Sequence, residues 1–300
     1  MPNAAIFVLR PSFGWMQMGS QSRVTIDFTV AADGRPIDIR RVGASYTPNA
    51  DDLARELAAS GFAAGVPHRD CQVTYVATRT PIAMADVADL LSASIDSRPS
   101  REAIDRIKPA NSDCLNPAPS SLLRGYPDFA KLKGSVGRLQ WSMVKLDIDA
   151  AGKPTGIRTL TGTNDAALDQ AGRDAVARSR FSGGKRTGCL YPYRKAAQPL
   201  PAPAAPEEQS FRPDGATCPV DLEWAVQPVL RYPDNYRKRG IEGWAIIAFD
   251  AAPWAATGNI RVLAAEPAAD FGMAAVNIIT SARLAPSNRA MSAASSGWVT

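Results

Sequence analysis

The chain has 300 residues, of which 45% are hydrophobic and 21% are charged, as is typical of folded globular proteins. This length predicts two or three domains. The net charge of +5 comes from Lys and Arg residues that are dispersed along the chain, which argues against a nucleic-acid-binding protein. No uncharged apolar run is long enough to cross a bilayer.

The first recognisable pattern is a hairpin followed by a helix. Residues 23–30 alternate apolar and polar side chains, which predicts a half-buried antiparallel strand. An Asp-Gly pair ending at Gly34 predicts a tight hairpin, after which a return strand follows. Asn49 can cap a helix, and residues 71–78 complete the pattern as a closing strand.

The same order of elements occurs three times. The hairpin glycines Gly34, Gly152 and Gly258 are separated by 118 and 106 residues, and each lies between two strands that precede a helix. In the second copy, the apolar positions of the first strand change phase between Met143 and Val144. This change predicts a β-bulge at that point.

The second and third copies share a wider motif. A Tyr-Pro pair precedes the first strand, and glycines stand at the strand start or the turn. This order resembles the C-terminal domain of the TonB family of energy transducers. The residues that match the family pattern are Tyr126, Pro127, Gly152, Tyr232, Pro233, Gly243 and Gly258. Pro253 and Trp254 are interpreted as an insertion in the third hairpin loop.

The resemblance implies an α+β fold of three tandem strand-strand-helix-strand domains, each an antiparallel sheet covered by one helix. The expected divisions are TonB-like domains at 1–80, 111–195 and 214–300, a helical connector at 81–110 and a proline-rich linker at 196–213. The connector should form two short helices that are interrupted at Pro99 and pack on the first domain. The linker should be extended and unpacked.

The four cysteines predict disulfides. Cys71 and Cys189 lie at equivalent closing-strand positions, and Cys114 and Cys218 both precede the position of the Tyr-Pro pair. One pairing joins Cys71 to Cys114 and Cys189 to Cys218; the other joins Cys114 to Cys189 and Cys71 to Cys218. We prefer the first pairing, because it ties each closing strand to the connector of the next copy. Either pairing indicates an oxidising compartment.

The sequence offers little for catalysis or metal binding. His68 is the only histidine, and it has no accompanying nucleophile motif. The cysteines lack the close spacing of a zinc site. We therefore expect a protein that is not an enzyme and has no metal or cofactor.

The resemblance also implies a function. In the TonB family the closing strand captures an extended peptide by β-augmentation, in which main-chain groups of an edge strand bond a partner strand. The corresponding residues here are Leu190, Tyr191, Tyr193 and Arg194 in the second copy, and Trp298 and Val299 in the third. The chain would then be periplasmic and bind segments of envelope proteins such as outer-membrane transporters, coupling this binding to energy-dependent transport.

The alternative is a scaffold of the cell envelope that binds proteins without transducing force. Residues 1–20 lack the features of a signal peptide, so a natural start at Met1 would mean an unexported protein. The cysteines and the family resemblance favour instead a membrane anchor or a signal that precedes the given sequence. An inner-membrane anchor would favour the transducer, and a cleaved signal would favour the scaffold.

Overall fold

A computed structural model describes most of the chain. The described residues are 23–43, 51–76, 80–95, 98–211, 222–285 and 291–297. They form a mixed α+β protein with small antiparallel sheets, which confirms the α+β class. None of the described helices combines the length and the apolar character that a membrane span requires.

The first repeat contains a three-stranded antiparallel sheet in the order β2-β1-β3. Its elements are β1 (Arg23–Val30), β2 (Pro36–Arg41), α1 (Asp51–Ala58) and β3 (His68–Val76). The apolar residues of β1 alternate with partly exposed polar ones, as the sequence pattern predicted. Residues Val24, Ile26, Phe28 and Val30 are buried.

The connector forms a 3-10 turn (Ile82–Met84) and two short helices, α2 (Val87–Ser94) and α3 (Arg101–Ile107). The prediction that they pack on the first domain is wrong. Leu91 of α2 is buried against Trp141 and Met143, which belong to the second repeat. The helical spacing of apolar residues predicted the helices but could not indicate which sheet would receive their apolar face.

The second repeat has the sheet order β6-β5-β8. Its elements are β4 (Ser121–Leu123), β5 (Gln140–Ile148), β6 (Pro154–Gly162), α4 (Ala166–Arg178), β7 (Arg180–Phe181) and β8 (Arg186–Lys195). The short strands β4 and β7 pair with each other.

The register between β5 and β6 shifts between Met143 and Val144, but the extra residue is Leu160 in β6. The prediction of a bulge in β5 is therefore wrong, and β5 pairs with β8 in continuous register from Gln140 to Leu146. Trp141 and Met143 pack against the connector helix on one face of the sheet. Val144 and Leu146 pack against α4 on the other face. The apolar positions change phase because the first half of β5 is buried on both faces.

The third repeat has the equivalent order, β11-β10-β13. Its elements follow a 3-10 turn (Glu208–Phe211) and are β9 (Trp224–Val226), α5 (Asp234–Arg237), β10 (Trp244–Ala251), β11 (Thr257–Glu266), α6 (Ala269–Ser281), β12 (Arg283–Leu284) and β13 (Met291–Gly297). The short strands β9 and β12 pair as β4 and β7 do.

In every repeat, the last residue of the hairpin turn accepts a hydrogen bond from an amide beyond the helix. The donor and acceptor pairs are Phe62 to Gly34 at 2.9 Å, Phe181 to Gly152 at 2.9 Å and Leu284 to Ala255 at 3.3 Å. The third turn therefore ends at Ala255, with φ +72°. Taking Gly258 as the turn residue was wrong, and Pro253 and Trp254 are the middle of an ordinary four-residue turn rather than an insertion.

The described residues form two compact units. The terminal unit contains the described residues up to 76 and from 199 onward, and the central unit contains those between 80 and 198. The first and third repeats thus share one unit and one hydrophobic core, in which Ile26 and Phe28 lie in the same cluster as Ile247 and Phe271. The sequence had suggested a separate domain for each copy.

Polar contacts also join the two repeats of the terminal unit. The amide of Ile39 donates to the carbonyl of Pro267 at 3.0 Å. The amide of Asp38 donates to the Glu266 carboxylate at 2.8 Å. Burial raises the pKa of Glu266 to about 7, and the nearby Asp38 charge adds to this effect.

The first part of the proline-rich linker is packed against the third repeat, contrary to expectation. Leu200 donates to Gly240 at 2.7 Å and accepts from Glu242 at 2.9 Å. The Trp244 indole donates to the carbonyl of Pro203 at 2.9 Å. An extended chain without internal hydrogen bonds leaves its backbone groups available for this docking.

Candidate peptide-binding edge

The strand β8 lies at the edge of the central sheet. Among the described strands, only β5 pairs with it. Pro192 stands in the middle of β8, opposite Met143. A proline has no N–H group, so within a sheet its backbone usually faces away from the neighbouring strand. The flanking residues then bond to β5, because backbone groups alternate in direction along a strand. The backbone groups of Leu190 and Pro192 therefore face away from β5.

The side of β8 that faces away from β5 is its outer edge. The first residues of this edge are covered by the segment around Ser112 and Asp113. The amide of Asp113 donates to the carbonyl of Thr187 at 3.2 Å. The amide of Thr187 donates to the Asp113 carboxylate at 2.6 Å. The Ser112 hydroxyl donates to the carbonyl of Gly188 at 2.9 Å. The uncovered stretch therefore begins beyond Gly188.

A disulfide anchors the covering segment. Cys114 bonds to Cys189, with 5.1 Å between their Cα atoms. The preferred pairing of Cys71 with Cys114 and of Cys189 with Cys218 is therefore wrong, because Cys114 lies against β8 of its own repeat. Within the described part of the chain Cys71 has no disulfide partner, and Cys218 lies outside the described residues. The disulfide indicates folding in an oxidising compartment.

The predicted contact residues of β8 divide between the two faces of the sheet. Leu190 packs on the cluster formed by Leu91, Trp141 and Met143. Tyr193 is buried on the α4 face, and its hydroxyl donates to the carbonyl of Gly125 at 3.0 Å. These two side chains are structural. Tyr191 is partly exposed, and Arg194 is exposed.

The burial of Tyr193 also affects its ionisation. Desolvation raises the pKa of its hydroxyl to about 12, and the neighbouring Tyr191 adds to the effect while Arg124 opposes it. The group is therefore a neutral hydrogen-bond donor at any physiological pH, which suits a role in holding the lead-in chain, residues 124–129, beside β8.

A cationic and aromatic cluster lies beside Tyr191. The guanidinium of Arg124 is 5.0 Å from the centre of the Tyr126 ring and 4.8 Å from that of Tyr191. The rings of Tyr191 and Tyr193 are 5.4 Å apart. The Arg178 guanidinium donates to the carbonyl of Tyr126 at 3.0 Å. The sequence analysis missed Arg124, although its place two residues before Tyr126 could have indicated it.

The two Tyr-Pro pairs have different surroundings. Tyr126 is 55% exposed, whereas Pro127 is buried. Tyr232 instead packs edge-on against Phe271, with 5.8 Å between the ring centres, and its hydroxyl bonds to Ile241. Pro233 directly precedes α5. The cluster around Arg124 is therefore a property of the second repeat.

The remaining motif glycines also have different roles. A side chain at Gly243 would overlap the Phe271 ring, so this position needs glycine for close packing. A side chain at Gly258 would meet nothing within 4 Å.

The corresponding edge of the third repeat is β13, which pairs with β10. The predicted contact residues Trp298 and Val299 lie outside the described residues. The strands β8 and β13 belong to different units, so they form separate candidate edges.

His68 is exposed at the start of β3. Nowhere in the described ranges do three or more side chains of the metal-binding types come together. Comparisons of the chain with models of known families, with curated proteins and with solved structures find no match.

Proposed function

We propose that this chain is a periplasmic TonB-like protein that binds extended segments of envelope proteins, such as outer-membrane transporters, and couples this binding to energy-dependent transport. The observation that supports the proposal best is the position of the closing strand. In all three repeats it pairs on one side with the first strand of the hairpin, at the edge of the sheet. This is the arrangement that β-augmentation requires.

The strand β8 is the best described of these edges. Its outward-facing backbone offers the N–H and C=O groups of Leu190 and the C=O group of Pro192. An edge with these few groups supports a short stretch of pairing, and each net hydrogen bond contributes about 1 kcal/mol. Pro192 also limits pairing with another copy of the same edge, which protects the protein against aggregation.

The proposal can be tested by a backbone chemical-shift titration of the protein with an extended peptide from a candidate transporter. Binding by β-augmentation should perturb the amides of residues 189–191 and of Tyr193 and Arg194, and leave β6, at the opposite edge of the same sheet, unchanged. A peptide with the same side chains but alternate N-methyl groups cannot form the added ladder, and it should not bind. Equal binding of the N-methylated peptide, or no perturbation at about millimolar peptide, would contradict the proposal.

A further inference from the structure

The net positive charge of the chain lies in the central unit. Residues 78–198 contain 19 Lys and Arg against 12 Asp and Glu, whereas the net charge of the whole chain is +5. The rest of the chain therefore carries no excess of positive charge. The central unit is therefore net positive, and long-range attraction favours a negatively charged partner.

Within this unit, the cationic and aromatic cluster of Arg124, Tyr126 and Tyr191 lies next to the uncovered edge of β8. The lead-in chain at 124–129 follows the α4 face of the strand, because the Tyr193 hydroxyl bonds to Gly125 and the Lys195 ammonium donates to the carbonyl of Phe129 at 2.7 Å. A strand added at Leu190 and Pro192 would project alternate side chains onto this face. Those side chains would lie beside Tyr191 and Arg124.

The guanidinium of Arg124 has aromatic neighbours and, within the described part of the chain, no carboxylate partner. The nearby Asp128 pairs with Lys131 at 3.0 Å. The Arg124 guanidinium also bonds the Tyr191 side chain. A guanidinium has five N–H donors, so others stay available for an acceptor, and carboxylates fit them best. Arg178 adds a second positive charge beside the same backbone.

We propose that the β8 edge selects extended segments that carry an acidic side chain opposite Tyr191, whose carboxylate binds the guanidinium of Arg124. This inference rests on the proposed function and specifies the chemistry of its partner. The edge backbone supplies pairing that any extended segment can use. Arg124 supplies the preference among segments.

The test uses three short peptides of alternating Val and Thr that differ only in a central Glu, Gln or Lys. Fluorescence anisotropy should show that the Glu peptide binds about fivefold more tightly than the Gln peptide and that the Lys peptide binds most weakly, as expected for one partly exposed ion pair. The preference should decline between about 50 and 300 mM salt.

Two variants locate the effect. Arg124→Gln should remove the preference for the Glu peptide and leave binding of the Gln peptide unchanged. Arg158→Gln removes the same charge from β6, an exposed position on the opposite edge of the sheet, and should keep the preference. Both variants should match the parent protein in circular dichroism.

The outcomes separate the two proposals. Equal affinities for the Glu and Gln peptides, with chemical-shift changes at Leu190, would overturn the acidic preference and leave β-augmentation intact. A preference that persists in Arg124→Gln would also overturn it. Should the Arg124→Gln protein fail to fold, the peptide series with the parent protein still decides. If none of the three peptides binds, the proposed function itself fails.

Discussion

Replacing Gly152 by Ala tests the equivalence of the three hairpin turns. Gly152 has φ +79°, a conformation that costs an L-residue about 1–2 kcal/mol. Its new methyl group would overlap the carbonyl oxygen of Phe181, a backbone atom that cannot rotate away. Separating the two would also weaken the hydrogen bond from the Phe181 amide, worth about 1 kcal/mol. We expect a loss of about 2–3 kcal/mol in the free energy of unfolding.

The reverse change is available in the third repeat. Ala255 already holds the left-handed conformation with a methyl group, and its hydrogen bond from Leu284 is the longest of the three at 3.3 Å. Ala255→Gly removes a backbone strain of about 1–2 kcal/mol. It adds about 0.5–1 kcal/mol of unfolded-state entropy. Ala255 is buried in the core of the terminal unit, so losing its methyl group also costs about 0.8 kcal/mol. The net change should therefore lie within about 1 kcal/mol of zero.

Gly258→Ala is the matched control. The position has open space around it, so the change should alter the free energy of unfolding by less than about 0.5 kcal/mol. If Gly258 were the true turn residue, as its position in the sequence suggested, the same change would be as damaging as Gly152→Ala.

Urea unfolding followed by circular dichroism, with the disulfide intact, measures all three variants. Hydrogen exchange assigns each effect to a unit, since Gly152 belongs to the central unit and Ala255 to the terminal unit. The reasoning fails if Gly152→Ala costs no more than Gly258→Ala, or if Ala255→Gly destabilises the protein as much as Gly152→Ala does.

Three further predictions concern the disulfide, the connector and a buried carboxyl. Replacing Cys114 and Cys189 together by Ser should lower the free energy of unfolding by about 4 kcal/mol, because the bond closes a separation of 75 residues; unchanged urea midpoints would refute this. Leu91→Ala should destabilise the central unit by about 2–4 kcal/mol, whereas the exposed Met84→Ala should not, with hydrogen exchange as the measurement. Since the pKa of Glu266 is raised to about 7, its contribution to stability is complete below its unfolded value of 4.5 and is lost as the pH rises through 7. Glu266→Gln should abolish this loss in unfolding curves measured across that range, and identical pH profiles for the two proteins would contradict the assignment.

Local patterns in the sequence predicted the elements well. The alternation in residues 23–30 and the helix after Gly152 both depend on residues that are near one another in the chain. Apolar periods of two and of about 3.6 residues, together with turn residues, are sufficient for such features. The α+β class follows from them.

The edge itself was only partly predictable. Tyr191 was identified from its place in the closing strand, and that strand lies at a sheet edge. Tyr193 and Leu190 are on the same strand, but their side chains pack inside the unit. Tyr193 packs on the α4 face of the central sheet, and Leu190 packs on the face that the connector helix covers. Alternation along a strand shows which residues share a face, but it does not show how many faces will be buried.

Short-range periodicity and turn chemistry were enough to predict the strand-strand-helix-strand order of each repeat. They could not predict that Cys114 pairs with Cys189, that the connector helices cover the second sheet, or that the first and third repeats share a core. These outcomes depend on which apolar faces meet across large separations in the chain. Hydrophobic burial is non-directional, so a pattern of apolar residues specifies that a face must be covered without specifying by what.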